Sequence, residues 1–86
     1  MTSRPTLIVV SGPPGAGKTT LAHALAQAVG CPAICRDEIK EGMVHAVGGF
    51  TSGPGDALTM RAYPTFFAVL EVLLRAGVTT VAEAGR

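Results

Sequence analysis

Eighty-six residues, 48% of them hydrophobic and 15% charged, set the scale of one small globular domain. A formal net charge of +1 lacks the basic stripe of a nucleic-acid or membrane-surface protein, which argues against both classes. The opening residues lead into an apolar run too short for a secretory signal, and Glu71 interrupts the most apolar stretch, Phe66 to Leu74, so a soluble cytoplasmic protein is expected.

Thr6-Leu7-Ile8-Val9-Val10 is an apolar, β-branched run without alternation, and it predicts a first strand over residues 6–11, buried on both faces of a parallel sheet. Directly after it, Gly12-Pro13-Pro14-Gly15-Ala16-Gly17-Lys18-Thr19, followed by Thr20, fits G-x-x-x-x-G-K-[S/T]. In random order this composition would give such a match in only about four chains per thousand. The pattern has a physical reading. Backbone N–H groups of a glycine-rich loop can turn inward around an anion, where a Cβ would obstruct them. The flexible ammonium of Lys18 can reach outer phosphates, and the Thr19 hydroxyl can ligate Mg²⁺. The loop is therefore expected to bind a nucleoside triphosphate.

Gly17 or Lys18 opens a helix that runs to about Val29, with Gly30 in the left-handed position beyond its end. Leu21, Leu25 and Val29 are its predicted apolar face, and His23 falls opposite as solvated surface without a role. Pro32 to Arg36 predicts a short second strand. Asp37 then opens a helix through about Val47, with Ile39, Met43 and Val47 as its stripe and Gly48-Gly49 as its stop. Residues 48–55 are rich in helix breakers and read as a mobile loop. Asp56 is the predicted N-cap of a long helix to Ala76, ended by Gly77, which Pro64 either kinks or restarts. Only Glu71 is polar between Phe66 and Leu74, so that stretch should be buried nearly all round. Val78 to Ala82 forms a third strand with Glu83 at its carboxyl end. Three strands alternating with helices predict an α/β fold with right-handed parallel crossovers. Cys31 and Cys35 have no second cysteine pair, and neither His23 nor His45 stands at ligand spacing to them, so they read as two small buried thiols in a reducing compartment.

The glycine-rich loop, Arg36-Asp37-Glu38-Ile39-Lys40 and Val81-Ala82-Glu83-Ala84 together resemble the small P-loop kinases of the AAA-family ATPase group, which includes chloramphenicol phosphotransferase-like and zeta-toxin-like enzymes. The resemblance spans nearly the whole chain, and the loop is its most specific part. It implies a P-loop NTPase three-layer sandwich with a parallel sheet, incomplete at three strands in the order 2-3-1. It implies ATP and Mg²⁺ as cofactors, with Gly12, Pro13, Pro14, Gly15, Ala16, Gly17, Lys18, Thr19 and Thr20 around the phosphates. Lys18 and Asp37 are the implied catalytic residues, Asp37 lying beside the acceptor hydroxyl as general base or orienting group. Asp37 can equally cap its helix. Lys40, one turn on, faces either substrate or solvent. Thr19 and Glu83 are the implied metal residues, Glu83 directly or through water, although relatives often carry Asp there. Arg61, Tyr63 and Phe50 either line an acceptor pocket or, for the aromatics, pack in the core.

The same pattern implies about as much chain again, carrying two further strands, an arginine-bearing lid and an adenine pocket. Residues 1–86 thus read as the N-terminal portion of a single kinase-like domain, with the first strand as a bare edge open to self-association. The expected activity is transfer of the γ-phosphate of ATP to a small-molecule hydroxyl, impaired in a chain of this length. A polynucleotide 5′-hydroxyl kinase, a GTP-dependent switch and a non-catalytic nucleotide-binding remnant are the alternatives.

Overall fold

The structure is a computed structural model that describes residues 4–13, 15–47 and 57–85. Its elements in chain order are β1 (Leu7–Val10), α1 (Lys18–Val29), β2 (Ala33–Cys35), α2 (Arg36–Val47), α3 (Ala57–Arg75) and β3 (Thr80–Glu83). Both pairings are parallel, and β3 lies between the other two in the order β1-β3-β2, the arrangement expected from the resemblance. The register places Val10 and Cys35 beside Glu83, so all three strands end together at the carboxyl edge of the sheet. That edge is where α/β folds collect their chemistry.

Strand alternation assigns each face its helix. Val10, Cys35 and Val81 form one core cluster with Ala22 and Ala26 of α1. Ala82 packs from the opposite face with Phe66 and Leu70 of α3, joined by Ile34, Ile39 and Ala84. Three layers result, with the sheet between α1 and the α2–α3 pair.

Four expectations change. First, β1 is not buried on both faces, since Leu7 is 42% and Val9 67% exposed. The helices on that side cover β2 and β3, which leaves the edge strand bare there among the described residues. Second, α1 meets the sheet through Ala22 and Ala26 with Leu25 packed beside them as expected, while Leu21 and Val29 are each 52% exposed. Small residues win because they let the helix axis approach the sheet closely. Third, α3 is not buried all round. Leu58, Ala62, Phe66 and Leu70 form a buried stripe at a spacing of four, and Phe67 and Val72 face outward. Its 19 residues are long and apolar enough to cross a membrane by length and composition, and 22% of that apolar window is buried, along this stripe. Fourth, α2 begins at Arg36, so Asp37 is one residue inside the helix and not its cap.

Other local readings hold. Gly30 takes φ +83° and donates its N–H to the Ala26 carbonyl at 2.8 Å, closing α1, and Gly77 takes φ +81° after α3. The helix continues through Pro64, and the Thr65 hydroxyl donates to the Arg61 carbonyl at 2.9 Å beside it. The Asp56 cap, the Gly48-Gly49 stop, the 48–55 loop, Phe50 and Pro14 lie outside the described residues.

Candidate functional site

Between β1 and α1 the chain turns back on itself through two left-handed glycines, Gly15 at φ +78° and Gly17 at φ +76°. An L side chain is strained in that region. Nothing stands within 4 Å of where a Cβ would be built at either position, so backbone conformation and not crowding calls for glycine here. The Ala16 N–H donates to the Pro13 carbonyl at 3.3 Å and tightens the turn. Gly17 caps α1 with no side-chain hydrogen bond, and the first turn carries no acidic residue. Among the described residues, the positive end of the helix therefore presents backbone N–H groups without a side-chain cap. Such an end suits a phosphate. The Lys18 ammonium folds back over the loop and donates to the Pro13 carbonyl at 3.1 Å.

Facing the loop, Glu83 stands at the end of β3 and is only 1% exposed. The Thr19 hydroxyl donates to its Oε1 at 3.1 Å, and the Gly85 N–H donates to Oε2. Burial alone would penalise a carboxylate so deep, and these two donors compensate it. The sheet register explains the meeting: Glu83 and Val81 share the face under α1, and Thr19 is in the first turn of that helix.

Arg36 carries the next layer. This buried guanidinium lies 4.6 Å from the Tyr63 ring centroid, donates from Nε to the Ala84 carbonyl at 2.8 Å, and pairs through Nη2 with Asp37 Oδ1 at 2.6 Å. A Cβ at Gly85, where φ is +91°, would come within 2.6 Å of that Nη2. The carboxylate of Asp37 is thereby tied to the end of β3.

Gly15, Gly17, Lys18, Thr19, Thr20, Asp37, Glu83 and Gly85 line one hollow of about 320 Å³. Most of the residues singled out in the sequence thus converge. Gly12, Pro13 and Ala16 belong to the loop without lining the hollow. Lys40 instead lines a neighbouring hollow with Asp37, Glu41, Val44 and His45. Tyr63 supports Arg36, and Arg61 is exposed on α3. Sequence reasoning missed Arg36 and the contacts of His23, whose Nε2 lies 2.8 Å from Glu38 Oε2 and 3.9 Å from Cys35 Sγ. Arg36 had one signal: it is the residue between a strand end and the chosen acid. Burial, then the Glu38 and Glu83 carboxylates, push the Cys35 thiol up to about 12, which keeps it protonated at neutral pH.

The residues fit a magnesium nucleotide. An open helix N-terminus with left-handed glycines suits the phosphates, and the Thr19 hydroxyl with the Glu83 carboxylate offers the hard oxygen donors that Mg²⁺ takes.

Among solved structures the chain is similar to a candidate kinase from Chloroflexus aurantiacus J-10-fl, at 28% identity and a TM-score of 0.87, over 98% of this chain and 45% of that one. It also shares its fold with a chain of the Pnkp1/Rnl/Hen1 complex, at 21% identity and a TM-score of 0.72, over 100% of this chain and 29% of that one. The chain therefore spans less than half the length of either. No curated protein matches it. Residues 7–85 match the family model described as AAA domain, and with nearly every residue so matched, the chain belongs to the AAA domain family.

Proposed function

We propose that this chain binds ATP with Mg²⁺ and contributes to transfer of the γ-phosphate to a small-molecule hydroxyl. The observation that carries the reading is Asp37 on the rim of the same hollow as Lys18, Thr19 and Glu83. A bare nucleotide-binding loop needs no further carboxylate across from it, whereas phosphoryl transfer to a hydroxyl does. The similarity to a candidate kinase supports the same class.

The N–H groups at the start of α1 and the Lys18 ammonium would hold the phosphates, the lysine exchanging its Pro13 carbonyl for a phosphate oxygen. Thr19 and Glu83 would hold the metal, Thr19 through its hydroxyl oxygen while its O–H goes on donating to Glu83 Oε1. Bound Mg²⁺ supplies charge neutralisation on the transferring phosphate. Asp37, positioned by Arg36, would accept the proton of the acceptor hydroxyl as its oxygen bonds to phosphorus and the bond to the departing diphosphate breaks. A net charge of +1 supports a small acceptor over a polynucleotide.

Isothermal titration with Mg-ATP tests the binding. Heat and saturation are expected for the wild type and a loss of at least about tenfold in affinity for Lys18→Ala, the size of one charge-assisted contact. Unchanged binding in that variant would count against the whole reading. For the transfer step, Asp37→Asn should keep Mg-ATP affinity and lose phosphorylated product in a single-turnover assay.

A further inference from the structure

Three side chains from three elements meet one helical turn beyond Thr19, on the α1 side of the sheet. His23 comes from α1, Cys35 from the end of β2, and Glu38 from the first turn of α2. Nε2 of His23 is 2.8 Å from Glu38 Oε2 and 3.9 Å from Cys35 Sγ. The three ligand-bearing atoms all lie within 4.8 Å of one another. Imidazole, thiolate and carboxylate are the donor types that zinc takes.

The spacing suits the ion. Tetrahedral coordination at ordinary zinc bond lengths puts nitrogen and sulfur about 3.6 Å apart and nitrogen and oxygen about 3.4 Å apart. The N–S pair would close by about 0.3 Å and the N–O pair open by about 0.6 Å from the separations observed, and the S–O pair, within 4.8 Å here, would settle at about 3.6 Å. Those shifts fall on the His23 and Glu38 side chains, which are 50% and 45% exposed and so are not locked in place by packing all round. Cys35 lies beneath them, 1% exposed and fixed by its pairing beside Glu83. The exposed side gives an ion its entry and leaves a fourth position for water.

We propose that His23, Cys35 and Glu38 form a binding site for a zinc-class divalent cation, separate from the oxygen-only pair of Thr19 and Glu83. A surface imidazole–carboxylate contact needs no thiol beneath it. Here the thiol of a buried strand residue meets the imidazole, and the donor set of nitrogen, sulfur and oxygen selects zinc over magnesium. On binding, the Cys35 thiol gives its proton to solvent and its sulfur bonds the metal. The ion would join α1, β2 and α2. Arg36 and Asp37 lie in the chain between two of its ligands, so occupancy would stiffen the segment that carries Asp37. The site itself does not rest on the kinase reading.

Cobalt titration of the reduced 86-residue chain, with Mg²⁺ in excess to fill oxygen sites, tests the proposal. One equivalent of Co²⁺ should give tetrahedral visible bands with a near-ultraviolet thiolate charge-transfer band, and Zn²⁺ should displace them. Cys35→Ser should abolish the charge-transfer band and Cys31→Ser should leave it. His23→Ala and Glu38→Gln, at half-exposed positions, should each weaken cobalt binding by more than the roughly 10–100-fold that loss of a supporting contact causes. Circular dichroism checks that the variants fold, and if Cys35→Ser does not, these two decide. The proposal is overturned if the wild type shows no thiolate band, if the band survives Cys35→Ser, or if His23→Ala binds cobalt as tightly as the wild type.

Discussion

Glu83 joins two demands at one residue, burial within the sheet and contact with a hydroxyl at the phosphate hollow. With 1% exposure and its oxygens met by the Thr19 hydroxyl and the Gly85 N–H, it is a carboxylate that a divalent cation would favour strongly. Glu83→Gln keeps the shape and removes the charge. It should lower affinity for Mg-ATP by roughly tenfold or more, as loss of a metal-supporting carboxylate does, and leave metal-free ATP binding nearly unchanged. Paired titrations with Mg²⁺ and with a chelator give both values, and equal losses in the two would show a merely structural role. Cys35 yields a different prediction. Its thiol is raised to about 12 against an ordinary value of 9.0, so in the metal-free protein it is protonated in folded and unfolded states alike below pH 9. Between about pH 9 and 12 the unfolded chain loses that proton while the folded one keeps it, so stability should fall with rising pH in that window. Comparison with Cys35→Ala in urea titrations across the window isolates this slope. At pH 8 in chelator, iodoacetamide should label half-buried Cys31 well before Cys35, read by mass spectrometry.

The first helix shows why element boundaries are easier to read than faces. Its start at Lys18 and its end before Gly30 both follow from backbone chemistry that is local: left-handed glycines at either end. Which side it buries depends on how closely its axis approaches the sheet, and no local rule contains that distance. Leu21, Leu25 and Val29 keep perfect helical spacing, yet only Leu25 of the three packs on the core, and Ala22 at 0% and Ala26 at 5% exposure make the closest contact. The variants separate the two faces. Leu21→Ala, at a 52% exposed position, should change stability by less than about 0.5 kcal/mol, whereas Ala22→Leu should cost about 1–3 kcal/mol by overpacking, both measured by urea denaturation. The site divides the same way. Gly15, Gly17, Lys18 and Thr19 are adjacent in sequence and were readable as a motif, and Asp37 and Glu83 were readable as acids at strand ends. Arg36 clasping Asp37 to the Ala84 carbonyl, and His23 reaching Glu38 and Cys35, are meetings across 48, 15 and 12 residues of chain that only the packed sheet creates.

At the scale of the whole molecule, the sheet order and the apolar pattern of β1 combine into one physical liability. β1 pairs with β3 on one side and, among the described residues, has no strand on the other, so its outer backbone groups stand ready to pair. One of its faces is bare as well, with Leu7 42% and Val9 67% exposed. A second apolar surface lies on α3, where Pro64, Thr65, Ala68, Val69, Val72 and Leu73 line a hollow of about 470 Å³. Either surface would draw chains together, but they differ in what a charge does to them. A lysine on an edge strand obstructs strand addition while leaving the existing ladder intact. We therefore expect this 86-residue chain to self-associate with rising concentration through β1, a second copy adding a strand at that edge. Val9→Lys should shift sedimentation toward the monomer with the circular dichroism spectrum unchanged, because the side chain at that position already faces solvent. Val72→Glu, placed on the α3 hollow at 67% exposure, should leave the association as it was. The opposite result would assign the contact to the helix face and clear the strand edge of it.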